Sequence, residues 1–152
     1  MIQDALLAIF HHLAVFTLLA LLVAECALII APLTASKVHL LGRLDLAYGL
    51  SAVLVLLAGF LRVFYGAKGS AFYLHNPLFI LKIALFAGIA VISIVPTLRF
   101  LQWRQRLRKE PGWLPMEMEV QRAAGWIKIE LLVFAGIPVL AALMARGIGY
   151  TS

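Results

Sequence analysis

The stretch ALLAIFHHLAVFTLLALLVAECALIIA, from Ala5 to Ala31, decides the fold of this chain. It is apolar along nearly its whole length and exceeds the about 20 residues that a helix needs to cross the hydrocarbon core of a bilayer. It is also longer than the apolar region of a signal peptide, about 7–15 residues, and no basic segment precedes it. We therefore interpret it as a membrane-spanning helix and expect it to be retained.

Three further stretches are equally long and apolar, and proline and glycine residues mark their boundaries. The chain is 64% hydrophobic and only 13% charged, whereas a soluble domain carries about 25% charged residues. We predict an all-α fold, a four-helix transmembrane bundle, with residues 1–152 forming a single domain. The predicted helices are Asp4–Ala31, Leu44–Gly66, Pro77–Arg106 and Glu117–Arg146.

The net charge of +6 would suggest a nucleic-acid partner in a soluble protein, but here the basic residues lie between the apolar stretches, so we expect none. Because lysine and arginine favour cytoplasmic connections, their distribution predicts an N-out, C-out topology. It also predicts contact with anionic lipids at the cytoplasmic face of a bacterial inner membrane. The third connection has Arg99, Arg104, Arg106, Arg108, Lys109 and Arg122, the first has Lys37 and Arg43, and the second has Lys68.

Three basic residues define a predicted outer layer. At 1.5 Å per residue, His11 lies about 6 Å below the outer boundary, and Arg62 and Lys82 reach about the same depth from the second and third predicted helices. They could surround an anionic group. The alternatives are that Arg62 and Lys82 extend to lipid headgroups and that His11 bonds to a backbone carbonyl.

An inner layer of opposite character follows about 21 Å further along the first helix, at Glu25. We predict that Glu25 shares this layer with Arg43, Asp45, Tyr48 and Glu130. One interpretation is an ion pair between Glu25 and Arg43 that fixes two helices. The other is a titrating cluster formed by Glu25, Asp45 and Glu130.

Helical phase predicts which polar side chains face inward. Asp4, His11, Leu18 and Glu25 recur every seven residues, so each is displaced by only about 20° from the one before. His12 points about 100° away from this stripe. Because a charge directed at lipid costs about 2.5–3.5 kcal/mol on insertion scales, we expect the stripe to face the bundle.

Several segments resemble a bacterial membrane-protein family of unknown function, domain-of-unknown-function family 2214. The resemblance covers most of residues 10–130. The family has no established activity, so the resemblance implies none. The segments are HHLAVFTLLALLVAE in the first helix, RLDLAYGLSAVLVLLAGFLRVFYGAKG in the second, FYLHNPLFILK at the entry to the third and SIVPTLRFLQWR at its exit.

The chain is more distantly similar to HemJ-type protoporphyrinogen oxidases and CopD-type copper-resistance proteins, through an early histidine in the first helix and an early lysine in the third. This resemblance implies b-type haem with His11 as the metal ligand, and a functional role for Lys82. The chain departs from the pattern at Leu18, where tryptophan is expected. No second histidine lies in the other predicted helices, so a bis-histidine haem is not expected.

Three functions remain open, and no complete catalytic motif decides whether the protein is an enzyme. The first is a haem- or porphyrin-associated redox protein, with His11 as axial ligand and with Arg62 and Lys82 paired to propionates. The second is a small transporter or proton-coupled channel that uses the inner carboxyl groups. The third is a structural or partner-binding subunit. Small-residue surfaces at Gly59 and Gly88 would permit a homo-oligomer.

Overall fold

A computed structural model describes residues 2–66 and 69–149. Within these ranges four long helices are apolar enough to cross a membrane, which confirms the predicted four-helix transmembrane bundle. Lys68, which entered the topology prediction, lies outside the described residues. The helices are α1 (Ile2–Ile30), α2 (Ala35–Tyr65), α3 (Gly69–Leu74), α4 (Pro77–Lys109) and α5 (Glu117–Ala145).

The start of the second long helix was predicted too late. α2 begins at Ala35, because Thr34 caps it by accepting a hydrogen bond from the backbone N–H of Lys37 at 3.4 Å. The Lys37 Nζ donates to the Pro32 carbonyl at 2.8 Å and closes the connection. Arg43, assigned to the first connection from the sequence, therefore lies in the first turns of α2.

The connection between α2 and α4 contains the short helix α3, which was not predicted. α4 then begins at Pro77, as expected, because Asn76 accepts a hydrogen bond from the Leu78 backbone N–H at 2.9 Å. Proline suits this first position because its missing N–H would have no partner there. The Asn76 side chain is fully buried and also donates to the Ile148 carbonyl at 3.4 Å, which ties the turn after α5 to this corner.

The long helices form a closed ring in the order α1, α2, α4, α5, in which each helix packs against its two neighbours. The pairs α1 and α4, and α2 and α5, face each other across the centre. Leu18 and Glu25 are buried, His11 is half-buried and His12 is exposed, which confirms the predicted phase of α1. The core between the helices includes Leu22, Leu41, Val55, Ile89, Phe100, Ile127 and Phe134.

Candidate functional site

Three carboxyl groups and one phenol form what we call the acidic cluster: Glu25 of α1, Asp45 and Tyr48 of α2, and Glu130 of α5. Each is buried, with 2% of Glu25 and 1% of Glu130 exposed. α1 and α2 run antiparallel, and side chains tilt toward the N-terminus of their own helix, so Glu25 and Asp45 tilt toward each other. Asp45 and Glu130 are close enough to act electrostatically on Glu25.

Hydrogen bonds hold part of the cluster. The Tyr48 hydroxyl donates to Glu130 Oε2 at 3.1 Å across the centre of the bundle. Thr97 of α4 donates its hydroxyl to Asp45 Oδ1 at 2.6 Å. Two further oxygens, Oε1 of Glu25 and Oε1 of Glu130, are buried without a hydrogen-bond partner. The cluster therefore has acceptor capacity that the protein itself does not use.

Arg43 does not join the acidic cluster, so the predicted pair with Glu25 is not formed. Arg43 is exposed on the outer face of α2. Among the described residues, the ion pair that forms is the one between Arg106 and Glu110, at 3.7 Å. It lies outside the acidic cluster. Residues 43 and 45 lie about 200° apart around a helix, so an inward Asp45 directs Arg43 outward.

Like Lys37, Arg104 of α4 lies half-buried at this end of the bundle. It packs on Gly42, where a Cβ atom would lie 3.0 Å from Arg104 Nη1, so glycine makes room for the guanidinium. Gly42 is about one turn from Asp45, yet no ion pair joins Arg104 to the cluster. From the sequence, Arg104 was interpreted as a topology charge or a contact with anionic lipids.

A groove of about 460 Å³ lies between α2 and α4 and reaches the acidic cluster at Asp45 and Tyr48. Ser93 and Thr97 of α4 line it together with apolar side chains of both helices. Thr97 and the groove were missed from the sequence. The spacing of Ser93, Thr97 and Phe100 by four and three residues places them on one face of α4, which was the available signal.

The predicted outer layer is also brought together. The His11 ring lies over Gly59 of α2, where a Cβ atom would be 3.5 Å from His11 Cε1. Arg62 and Lys82 act electrostatically on His11, and Lys82 Nζ lies 5.4 Å from the centre of the Phe79 ring. His11 Nδ1 and Arg62 Nε are buried without a hydrogen-bond partner. The His11 imidazole also interacts with the backbone of Val55, which fits the alternative prediction that His11 bonds to a backbone carbonyl.

Two features of the outer layer bear on a haem. The buried, unpartnered His11 Nδ1 and the neighbouring cations Arg62 and Lys82 fit one axial ligand and two partners for propionates. A second histidine does not fit. His12 and His75 are both exposed, and their Nδ1 atoms bond to the carbonyl oxygens of Ala8 at 2.6 Å and of Ala71 at 3.0 Å. His39 lies near the opposite end of α2.

Among the described residues, no group of three or more histidine, cysteine, aspartate or glutamate side chains has the geometry of a metal site.

The fold and the buried charges define the class: a multi-pass α-helical membrane protein with an acidic core. Within that class, the chain belongs to the family described as "Predicted membrane protein (DUF2214)", which matches residues 3–149. This confirms the resemblance to that family, whereas the more distant resemblance to HemJ-type and CopD-type proteins stays a prediction. No curated protein and no solved structure matches the chain.

Proposed function

We propose that this protein is a small proton-coupled transporter in which Glu25, Asp45 and Glu130 form the coupling site. One observation carries the proposal: three carboxyl groups from three helices are buried together without a basic partner. Ionisable residues inside the membrane are costly and mark ion or proton pathways. An acidic side chain in such a place is accommodated when it holds a proton or meets a cation.

Tyr48 suits a relay between these groups. Its hydroxyl donates to Glu130 Oε2 and keeps its lone pairs available to accept, so a proton can be passed through it. Glu25 acts electrostatically on the same phenol from α1. Tyr48 therefore interacts with both Glu25 and Glu130, and a change in the charge of either carboxyl group alters the environment of this phenol.

The charged and polar groups that face the coupling site come from all four long helices. α1 contributes Glu25, α2 contributes Asp45 and Tyr48, and α5 contributes Glu130. α4 contributes the hydroxyl of Thr97. Arg104 of α4 packs on Gly42, about one turn from Asp45, and forms no ion pair with the cluster.

Proton uptake by proteoliposomes tests the proposal. Purified full-length protein is reconstituted with an enclosed pH-sensitive dye, and an imposed pH gradient is followed with and without a membrane potential. Glu25→Gln and Glu130→Gln should abolish protein-dependent proton flux, because the amide cannot titrate. Glu117→Gln is the matched control on α5: Glu117 is exposed, and the amide still offers an oxygen to Gln121.

Unchanged flux in both cluster variants would reject the proposal. The buried charges would then serve only to fix helix pairing, which is the structural-subunit hypothesis. Infrared difference spectroscopy of the carboxyl C=O stretch adds a reading that does not depend on transport. A pH-dependent band in the wild type should weaken in each cluster variant and persist in Glu117→Gln.

A haem-associated redox function is the second candidate, favoured by the unpartnered imidazole nitrogen of His11 beside two cations. His11 would be the axial ligand, and Arg62 and Lys82 would hold the propionates. Bound haem would supply one-electron chemistry. The absorption spectrum of protein purified from haem-replete cells tests this: His11→Ala should remove or shift a Soret band, whereas His12→Ala should not. A colourless wild type would reject it.

A further inference from the structure

The groove between α2 and α4 joins the lipid phase to the acidic cluster. Its rim is formed by exposed apolar side chains of α2, among them Leu46 and Leu50, which face lipid in a membrane. Its inner end is formed by Asp45 and Tyr48. A volume of about 460 Å³ lies within the range of about 300–1,000 Å³ that is typical of small-molecule sites.

The depth of the groove limits what can occupy it. It follows α2 from Asp45 to Leu56, about 16 Å along the helix axis, and so spans the middle of that helix. The predicted apolar span of α2, Leu44–Gly66, has its midpoint near residue 55, so Asp45 lies about 15 Å from the bilayer centre, at the inner edge of the hydrocarbon core. The groove runs from that edge toward the centre, a placement that suits a ligand with a net positive charge and an apolar body.

We infer that this groove binds a lipophilic organic cation, which enters sideways from the hydrocarbon core and places its charge against Asp45. The inference rests on the proposed function, in which the same cluster exchanges protons, and it names the substrate class. Charge complementarity supports it, because the cluster has three carboxyl groups and no ion pair to a basic side chain.

Two further observations point to a ligand. Glu25 and Glu130 do not line the groove, but each keeps a buried oxygen without a hydrogen-bond partner, and each interacts electrostatically with Asp45 at the groove's inner end. Phe86 and Tyr48 line the groove, and a Cβ atom added at Gly49 would meet nothing within 4 Å. The site thus offers both negative charge and free volume.

Equilibrium binding of tetraphenylphosphonium to the full chain in detergent tests the inference. Asp45→Asn keeps an acceptor for Thr97 and removes the charge, so it should weaken binding roughly 10-fold or more. Gly49→Leu fills the groove and should weaken binding to a similar extent. Gly88→Leu is the matched control, because its Cβ also meets open space but Gly88 does not line the groove. It should bind like the wild type.

Absence of binding, or equal affinity in the wild type, Asp45→Asn and Gly49→Leu, would overturn the inference. Equally tight binding of neutral triphenylphosphine oxide would also overturn it, because the groove would then recognise only apolar shape. Proton flux measured on the same preparations separates this failure from that of the proposed function. If proton flux depends on Glu25 but no cation binds, only the inference about the groove is refuted. If the cation binds in the groove but no proton flux is seen, only the proposed proton coupling is refuted.

Discussion

The substitution Tyr48→Phe isolates one hydrogen bond at the centre of the acidic cluster. The Tyr48 hydroxyl and Glu130 Oε2 are 3.1 Å apart, and they join α2 to α5 across the centre of the ring. Both side chains are buried, and phenylalanine preserves the ring. The change therefore removes a donor without opening a cavity.

The expected loss can be estimated from that geometry. Side-chain hydrogen bonds between membrane helices contribute about 0.6 kcal/mol on average and up to about 1.7 kcal/mol. Glu130 Oε1 already has no partner, so Tyr48→Phe leaves the whole carboxyl group without a donor. We therefore expect about 1.5 kcal/mol of destabilisation. For a chain of 152 residues this lowers Tm by about 3–6 °C.

A thiol-reactive fluorogenic dye can report the unfolding. Cys26 is the single cysteine, it is half-buried in α1, and it packs against the core, so it becomes reactive when the bundle opens. Tyr65→Phe is the matched control, because Tyr65 is 65% exposed and its loss should change stability by less than about 0.5 kcal/mol. Equal melting temperatures for the two variants would refute the assigned contact.

Three further outcomes are expected. The losses of stability caused by Glu25→Gln and by Arg43→Gln should add to within about 0.3–0.5 kcal/mol in the double variant, because Arg43 is exposed and unpaired with Glu25. A larger coupling energy would show that the two residues form an ion pair after all. Gly59→Leu should lower Tm because the new side chain meets the His11 ring, whereas Gly88→Leu should not. A reporter inserted between α4 and α5 should read cytoplasmic and one fused to the C-terminus extracytoplasmic, and the reverse pattern would overturn the predicted topology.

Hydropathy and helical phase predicted most of the fold. Apolar length identifies the four spans because the bilayer imposes it, and a seven-residue repeat identifies the inward face of α1 because burial follows the helix period. The start of α2 was missed because a local cap at Thr34, rather than hydropathy, sets it. The first turns of α2 contain polar residues and lie outside the apolar region. In the sequence, such residues cannot be distinguished from a loop that connects two helices.

The acidic cluster was predicted in part. Depth along the helix axis placed Glu25, Asp45 and Tyr48 together, but depth is only one coordinate, and it wrongly added Arg43. The direction around the helix axis would have excluded it. Thr97 could not be placed beside Asp45, because that contact depends on which helices are neighbours in the ring. Helix order is a tertiary property that a single sequence does not specify.

The separation of the two polar layers favours a transporter over an open channel. Leu18 lies seven residues, or about 10 Å, from both His11 and Glu25 along α1, and Leu18 and Leu22 are almost completely buried. Together with Val55, Ile89 and Phe134 they form a largely apolar zone between the layers, in which Ser51 of α2 is a buried polar side chain. In the proposed transport, a proton that leaves Glu25 would meet this zone before it reaches the outer cations. We therefore expect the helices to move during transport, beginning on the α2–α4 side, where the groove lies between the two helices.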